Sequence, residues 1–262
     1  MKAEIITIGD ELLIGQVVDT NSAWMAQKLN QSGIELYEVL SVHDDQQHIK
    51  EAITHALSHA DIVLTTGGLG PTKDDITKNV LCDYFHTSLV PSEEVKNHIY
   101  QLYQNRPQVF NRLTDTQWHV PEACMILPNA IGTAPIMVWE TKGKLLYNLP
   151  GVPREMQVAM EQQVIPDILK RFPNKEENII HRTLAVSGIP ESALAIVLEE
   201  WENTLPSLGL HLAYLPVPEK RLIRLRLSSY GQCTNDDFDA QFEKMRKIIC
   251  ISQINIVPLQ AK

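Results

Sequence analysis

The sequence predicts an α/β protein in which the first two thirds of the chain form a doubly wound, mostly parallel sheet. Short apolar runs there alternate with stretches whose apolar residues recur three and four positions apart, which is the order of βαβ units. Glycine or proline turns stand where several of these runs end. The alternation stops near residue 172, and the different order of elements beyond it predicts a second, smaller α+β domain.

The first predicted domain, residues 1–172, contains six apolar runs that we interpret as strands. Their ranges are Ala3–Ile8, Ile34–Val42, Ile62–Thr66, Cys124–Leu127, Ile136–Thr141 and Lys144–Asn148. Helices are predicted from apolar periodicity and capping residues. Five helices are predicted. The first begins at the cap residues Asp19–Asn21, and the second carries the apolar positions Ile49–Leu57. The other three cover Asp74–His86, Ser92–Gln104 and Arg154–Lys170. The polar stretch Asn105–His119 is predicted to be a long surface loop, a kind of segment that often carries function.

A polar, proline-containing stretch, Pro173–Asn178, is interpreted as a linker at the start of the second domain, residues 173–262. The order predicted there is strand, helix, two strands and helix. These elements are Ile179–Val186, Glu191–Trp201, Leu210–Leu215, Leu222–Ser228 and Asp236–Ile249.

The composition favours an ordinary soluble globular protein, since 44% of the 262 residues are hydrophobic. The four cysteines (Cys82, Cys124, Cys233 and Cys250) are widely spaced without a Cys-x-x-Cys pair, which favours reduced thiols and a cytoplasmic location. No segment approaches the roughly 18 apolar residues that a membrane span needs, so no membrane association is expected. The formal net charge of −9 argues against binding to nucleic acid or anionic membranes, but it does not exclude a nucleotide ligand.

The most informative segment is the glycine-rich turn that follows the predicted strand Ile62–Thr66. Gly67, Gly68 and Gly70 allow positive φ angles and close approach of a ligand, and free amides at a helix start favour an anion. The turn therefore predicts a phosphate site within reach of Lys73. Its spacing matches neither Gly-x-Gly-x-x-Gly nor Gly-x-x-x-x-Gly-Lys-Ser/Thr, so the Rossmann and P-loop assignments do not apply.

Acidic residues accompany turns that the predicted sheet brings to one edge. The turns Gly9–Glu11, Gly67–Thr72 and Leu149–Pro153 follow strands, and ligands of parallel sheets bind beyond the carboxyl ends of strands. Nearby carboxylates are oxygen ligands suited to Mg²⁺, Mn²⁺ or a similar ion, which would bridge them to phosphate: Asp10, Glu11, Asp44, Asp74 and Asp75.

Two alternatives remain open for these acidic turns. Each turn can be a plain strand–helix connection. Asp74 and Asp75 are also predicted to lie in the first turn of a helix, where they would favour its dipole without any ligand. We favour that structural role for Asp74 and a functional role for Asp75.

Other side chains have less support as site residues. His55 and His59 lie four residues apart, but without the Glu of His-Glu-x-x-His they are predicted to form a solvated helix edge. His43 and His119 are expected to lie closer to the proposed crevice than His55 and His59, and they are candidates for binding the ligand. Trp118 is interpreted as a core residue, with stacking on a base as the alternative.

Four ordered motifs resemble those of the CinA family of competence/damage-inducible proteins. They are Gly9–Leu13 with Asp19–Asn21, Thr66–Asp75, Gly132–Pro135 and Leu149–Met156. The resemblance covers residues 1 to about 170 and implies a fold similar to the molybdopterin-binding fold of MoaB, MogA and gephyrin, a three-layer α/β/α sandwich. In that fold the Gly-Gly-x-Gly-Pro turn holds ligand, an aspartate matching Asp75 is required for molybdopterin chemistry, and one matching Asp44 lies at the same site.

In CinA proteins this domain is linked to an ADP-ribose pyrophosphatase activity that depends on a divalent metal and gives AMP and ribose 5-phosphate. The resemblance therefore implies Mg²⁺, Mn²⁺ or Co²⁺ as cofactor, a small-molecule nucleotide as ligand, and a homodimer. Asp75 and Asp44 are the expected catalytic residues and, with Asp10 and Glu11, the expected metal ligands. The expected substrate-binding residues are Gly67, Gly68, Gly70, Thr72, Lys73, Thr133, Pro150 and Gly151.

The second domain resembles the small KH-type module of the family, although residues 174–262 contain no Gly-x-x-Gly loop. Many relatives continue into a nicotinamide mononucleotide deamidase domain, and we expect this chain to lack that activity. Ile136 stands where the family usually has glycine after Gly-Thr-Ala-Pro, and its side chain is expected to narrow the pocket.

Three functions therefore remain open. The leading hypothesis is metal-dependent hydrolysis of a nucleotide diphosphate, with ADP-ribose as the expected substrate. The second is binding or adenylylation of molybdopterin in the same crevice. The third is a non-enzymatic regulatory or nucleic-acid-associated protein, which the negative charge and the missing Gly-x-x-Gly loop disfavour.

Overall fold

The computed structural model describes residues 1–104, 116–173, 179–231 and 233–258. They belong to two compact units, Met1–Glu176 and Glu177–Lys262. Almost all of the predicted linker Pro173–Asn178, and most of the predicted loop Asn105–His119, lie outside the described residues.

The strands of the first unit build a central sheet and a small separate one. They are β1 (Lys2–Ile8), β2 (Glu35–Val42), β3 (Ile62–Thr66), β4 (Leu89–Pro91), β5 (His119–Pro121), β6 (Met125–Leu127), β7 (Ile136–Thr141) and β8 (Lys144–Leu149). The central sheet has the order β2-β1-β3-β8-β7-β6. Its first four strands run parallel, and β7 and β6 are antiparallel to their neighbours. The predicted α/β fold with a mostly parallel sheet is confirmed.

Helices cover both faces of this sheet. They are α1 (Asp10–Leu13), α2 (Thr20–Gln31), α3 (Gln46–His59), α4 (Thr77–Tyr84), α5 (Glu93–Tyr103), α6 (Pro153–Ala159) and α7 (Ile165–Arg171). Side chains of α2, α6 and α7, such as Met25 and Met156, pack on one face with Ile5 of β1. Side chains of α3 and α4 pack on the other face with Ile6. Adjacent residues of β1 thus serve two cores, which is why most of the buried residues of this strand are apolar.

The segment predicted as one helix, Arg154–Lys170, contains a π-helical turn at Met160–Val164 between α6 and α7. Pro166 has no backbone N–H and cannot donate to the carbonyl four residues earlier. A π turn widens the spacing of the hydrogen bonds and lets the helix continue past the proline.

The structure differs from the predicted elements at the start of α4 and at short strands. The helix predicted from Asp74 begins at Thr77, so Asp74 and Asp75 lie in the preceding loop, and the prediction that they occupy its first turn is wrong. Strands β4 and β5, which pair with each other in a separate two-stranded sheet, were not predicted. Strands of three residues are too short for a period-2 pattern to reveal.

The second unit is an antiparallel sheet with two helices. Its elements are β9 (Ile179–Ser187), α8 (Glu191–Glu202), β10 (Leu210–Val217), β11 (Leu222–Tyr230), α9 (Asn235–Ile251) and β12 (Asn255–Val257). The strand order is β10-β11-β9-β12, and β12 was not predicted. Leu194, Leu198 and Trp201 of α8 and Phe238, Met245 of α9 form its core with the sheet. Within the described residues, neither unit contains a helix long and apolar enough to cross a membrane.

Candidate functional site

A cleft of about 360 Å³ lies at the carboxyl ends of the parallel strands of the first unit. The turns after β1, β2, β3 and β8 all contribute to it, as expected for an open α/β sheet. Seven of the predicted site residues line this cleft: Glu11, Asp44, Gly67, Gly68, Gly70, Asp75 and Gly151. The fold therefore brings together the acidic residues and the glycine turn that the sequence singled out separately.

Gly67 fixes the start of the glycine turn against neighbouring backbone. Its φ of 113° is a conformation that residues with a side chain rarely adopt. A Cβ atom at this position would lie 2.1 Å from the carbonyl oxygen of Ile8 and would clash with it. Gly151 approaches from the turn after β8, where its own Cβ would lie 3.3 Å from Cα of Gly67. Only glycine at position 67 permits this three-way contact of turns.

Asp75 binds the glycine turn from within. Its Oδ1 accepts a hydrogen bond from the backbone N–H of Gly70 at 2.7 Å, and its Oδ2 accepts from the N–H of Thr72 at 2.8 Å and from the Thr72 hydroxyl. These bonds hold Asp75 in the loop instead of in the helix. Two amides that the sequence assigned to a phosphate are thus already paired with a carboxylate.

Gly70 makes this arrangement possible because a side chain there would occupy the space of the carboxylate. A Cβ atom on residue 70 would lie 2.5 Å from Oδ2 of Asp75. Thr77, the first residue of α4, completes the loop: its N–H donates to the Gly68 carbonyl and its buried hydroxyl donates to the Gly67 carbonyl, each at 3.2 Å. Thr77 was not predicted as a site residue, since a threonine near a helix start is also an ordinary capping residue.

On the opposite wall, Asp10 and Asp44 each donate a backbone N–H to the side-chain carboxylate of the other. The N–H of Asp10 donates to Oδ2 of Asp44 at 3.1 Å, and the N–H of Asp44 donates to Oδ1 of Asp10 at 3.4 Å. Oδ1 of Asp10 also lies 2.8 Å from Nδ1 of His43. Asp10 does not line the cleft, so it positions Asp44, and the two side chains do not enter the cleft together.

The electrostatics of this wall favour a cation. Burial raises the pKa of Asp44, and the negative charges of Asp10, Glu11 and Asp74 raise it further, against the hydrogen bond from the Asp10 N–H. A divalent ion would relieve this repulsion. The donors that line the cleft are carboxylate oxygens of Glu11, Asp44 and Asp74, which are the ligand type of Mg²⁺ or Mn²⁺ sites, whereas both oxygens of Asp75 already accept hydrogen bonds from the glycine turn. The residue types therefore suit an oxygen-liganded divalent metal, but in the structure as described no three of these carboxylates bring ligand atoms within 4.8 Å of one another, so side chains would move on binding.

Asn21 is a cleft residue that sequence reasoning interpreted only as part of a helix cap. Asp19 is the actual cap, since its side chain accepts from the Ser22 N–H. Asn21 instead donates through Nδ2 to the Gly151 carbonyl at 2.8 Å and to the Thr66 hydroxyl at 3.3 Å. The Gly151 carbonyl can only accept a hydrogen bond, so it must face the amino group of Asn21. The side-chain oxygen of Asn21 therefore points away from Gly151. That oxygen is buried and has no hydrogen-bond partner among the described residues.

The remaining predicted site residues lie outside the cleft lining. The Pro150 carbonyl accepts from the Thr66 hydroxyl at 2.7 Å and so supports the cleft from behind. Thr72 and Lys73 are exposed in the glycine loop. Thr133 lines a second cavity, where its hydroxyl donates to Oε1 of Gln117 at 3.3 Å.

Ile136 and Trp118 both pack against other residues of the protein. Ile136 is fully buried in the core beneath α2 and α6, so the expectation that it narrows the pocket is wrong. The rings of Trp118 and Tyr100 stack with their centroids 6.2 Å apart, in a small cluster with Val95 and Ile99 of α5. Packing within the protein thus accounts for Trp118.

Lys78, buried beside the glycine loop, is another residue that the sequence did not single out. Its ammonium donates to the backbone carbonyls of Thr116, Gln117 and His119 at 3.2–3.3 Å. The last residues of the predicted loop are thereby fastened to α4. Burial lowers the pKa of Lys78 to about 8, although Asp75 opposes the shift.

This pKa predicts a pH dependence of stability. Between pH 8 and 10.5 an unfolded chain keeps the Lys78 proton while the folded protein releases it, so folding becomes more favourable as pH rises. We expect the unfolding free energy of the wild type, relative to a Lys78→Met variant, to increase from pH 8 to pH 10 in urea titrations. A difference that stays constant with pH would show that the ammonium is not buried as described.

Comparisons with known proteins agree with this fold. Residues 4–170 match the family described as "Probable molybdopterin binding domain". A CinA-like protein of Flavobacterium psychrophilum is 43% identical over 255 residues, which cover 95% of this chain and 59% of that protein. A CinA-like protein of Cytophaga hutchinsonii is 41% identical over 229 residues, which cover 87% of this chain and 54% of that protein. The chain thus spans somewhat more than half the length of these curated relatives.

Among solved structures, the crystal structure of CinA from Thermoplasma acidophilum, a protein of unknown function, is similar with a TM-score of 0.55 and 31% identity. The match covers 66% of this chain and 95% of that one. Together, the family match over more than half of the chain and the likeness to almost the whole of a CinA structure show that this chain belongs to the CinA family and carries an N-terminal molybdopterin-binding-like domain.

Proposed function

We propose that the cleft of the first unit hydrolyses a nucleotide diphosphate with a divalent metal ion, and that ADP-ribose, giving AMP and ribose 5-phosphate, is the substrate. The observation that supports this most is the meeting of Asp44, Glu11 and Asp75 with the glycine turn in one cleft of about 360 Å³. A site made only of carboxylates would repel a diphosphate, and a site that bound phosphate only through glycine amides would have no use for carboxylates. Their combination suits a diphosphate whose charge a cation neutralises.

Each wall of the cleft has a separate role in this proposal. Asp44 and Glu11 hold the metal, with Asp74 adding negative charge at the rim. A metal ion bound there supplies Lewis-acid chemistry, since it polarises phosphoryl oxygens and lowers the pKa of water. Oδ2 of Asp44 already receives the Asp10 N–H, so Oδ1 is the atom that either holds the metal or accepts the proton of the attacking water. Attack of that water on one phosphorus breaks its bond to the bridging oxygen, which leaves with the other phosphate. Asp75 keeps the glycine turn in register with the phosphates.

Asn21 provides the other support for a bound nucleotide. Asn21 lines the cleft at the junction of α2 and the turn after β8, and its buried amide oxygen has no partner among the described residues. A buried acceptor without a donor is unfavourable, and a ribose hydroxyl or a base amino group can satisfy it. We therefore assign Asn21 to the sugar or base of the ligand and the glycine turn to its diphosphate.

The test is a screen of nucleoside diphosphate compounds against Mg²⁺, Mn²⁺ and Co²⁺, with AMP release as the readout. We expect ADP-ribose turnover that EDTA abolishes and that an Asp44→Asn variant lowers by about 100-fold. A Glu122→Gln variant, which changes an exposed acidic residue outside the cleft lining, is the control for general charge effects. Metal-independent turnover, or full activity of Asp44→Asn, would contradict the proposal.

The match to a family described as a probable molybdopterin binding domain favours one second candidate. In this alternative the same cleft binds or adenylylates molybdopterin, whose terminal phosphate would occupy the glycine turn. The two candidates differ in a direct comparison: tight binding of molybdopterin without turnover of ADP-ribose supports the second, and turnover of ADP-ribose supports the first.

A further inference from the structure

A second group of potential metal ligands lies at the opposite end of the sheet from the cleft. Glu4 of β1 is directly paired with Glu38 of β2, so their side chains project from the same face. That face is covered by α3, which brings His55 to the two carboxylates. One ligand atom from each of the three residues lies within 4.8 Å of the others. Nε2 of His55 lies 3.2 Å from Oε2 of Glu38.

Glu4 is the unusual member of this cluster because it is only 3% exposed. Its Oε1 is buried, and no group among the described residues donates a hydrogen bond to it. Burial raises the pKa of Glu4, and the charge of Glu38 raises it further, while His55, His59 and Lys144 act in the opposite direction. Buried carboxylates are normally paired or bound to a metal, so this oxygen indicates a missing positive partner.

We propose that Glu4, Glu38 and His55 bind a divalent transition-metal ion of the Zn²⁺ type. One imidazole and two carboxylates are ligands that Zn²⁺ accepts in proteins. With metal–ligand bonds of about 2.1 Å, tetrahedral ligands stand about 3.4 Å apart, close to the 3.2 Å between His55 and Glu38. The side chains of Glu38 and His55 are 42% and 51% exposed, which leaves a path for the ion and a position for water.

This site is separate from the cleft. Glu4 precedes Ile8, the last residue of β1, by four positions, which corresponds to about 13 Å along the strand. A metal bound by Glu4, Glu38 and His55 would join β1, β2 and α3 and would stabilise the folded protein, because the unfolded chain does not hold the three ligands together. It would not take part in chemistry at Asp44.

The experiment measures metal binding and thermal unfolding of the full chain in an Asp44→Asn background, which weakens the cleft metal site. We expect Zn²⁺ to raise the midpoint of thermal unfolding. Bound Co²⁺ should give visible d–d absorption bands, which should disappear when Zn²⁺ replaces it. A thiolate charge-transfer band would instead indicate binding at a cysteine. Glu4→Gln and His55→Asn should each weaken Zn²⁺ binding at least tenfold, and His48→Asn, elsewhere on α3, is the matched control.

The unfolding midpoint without metal provides a second criterion. Glu4→Gln removes a buried carboxyl group whose Oε1 accepts no hydrogen bond among the described residues, so this variant should match or exceed the parent midpoint in EDTA and fall below it when Zn²⁺ is present. The proposal is overturned if Zn²⁺ does not raise the midpoint, or if it raises the midpoints of Glu4→Gln and His55→Asn as much as that of the parent. In that case Glu4 and Glu38 share a proton instead of a metal. Failure of ADP-ribose hydrolysis would leave these measurements unaffected.

Discussion

Replacing Asp75 by Asn is expected to lower AMP release from ADP-ribose by about 100-fold or more while the protein remains folded. Asp75 accepts hydrogen bonds on both oxygens, from Gly70 on one side and from Thr72 on the other. An asparagine offers one acceptor and one amino group, so one of these loop N–H groups would face another donor. The glycine turn would move, and small displacements in a catalytic site have effects of this size.

Amide hydrogen exchange distinguishes the loop role of Asp75 from the catalytic proposal. The N–H groups of Gly70 and Thr72 should exchange faster in Asp75→Asn, whether or not ADP-ribose is the substrate. Circular dichroism and the thermal midpoint should remain close to wild type, because Asp75 is only partly buried and lies outside the regular elements. Unchanged exchange at Gly70 and Thr72 would contradict the described loop, and unchanged AMP release would contradict a role of Asp75 in turnover.

Gly67→Ala is expected to cost at least about 3 kcal/mol of unfolding free energy. Two effects add here. The φ of 113° is strained for alanine, and the new methyl group would lie 2.1 Å from the Ile8 carbonyl oxygen, which belongs to the backbone of the central strand β1. Neither side can yield without moving a strand end or the Gly151 turn.

Gly143→Ala is the matched control for Gly67→Ala. Gly143 also has a positive φ, of 75°, but a Cβ there would meet nothing within 4 Å among the described residues. We expect it to cost about 1 kcal/mol, the strain of the backbone conformation alone. The unfolding free energies of the two variants, measured in urea, separate the cost of backbone strain from the cost of the steric clash. Equal costs would mean that the contact between Gly67 and Ile8 is not a constraint on the fold.

The sequence was sufficient to predict the class of fold and the side of the sheet on which the cleft lies. The strongest signals were the apolar periodicity of α3, the uninterrupted apolar strand β3 and the glycine turn that follows it. These are local patterns, and each indicates a single kind of structure: a helix, a buried strand or a turn. The location of the cleft followed because carboxyl ends of parallel strands meet at one edge.

The direction of individual side chains could not be predicted in this way. Whether Asp75 points at its own loop or into a helix depends on three hydrogen bonds that only the folded turn provides. Asn21 was mistaken for a cap because its true partners, Thr66 and Gly151, are 45 and 130 residues away in sequence. Glu4 interrupts an apolar strand in the sequence, but its closeness to Glu38 and His55 depends on strand register and helix placement.

The hydrogen bonds between Asp75 and the glycine turn make this carboxylate an internal competitor of any phosphate. A phosphate that takes the N–H groups of Gly70 and Thr72 must first displace Asp75, and this displacement lowers its intrinsic affinity. A cation in the cleft would compensate by attracting the released carboxylate. Binding of cation and anion would then be thermodynamically coupled, each raising the affinity for the other by the same factor. A turn with free amides would bind phosphate alone, whereas under the proposed function this turn would bind phosphate more tightly together with a metal than without one.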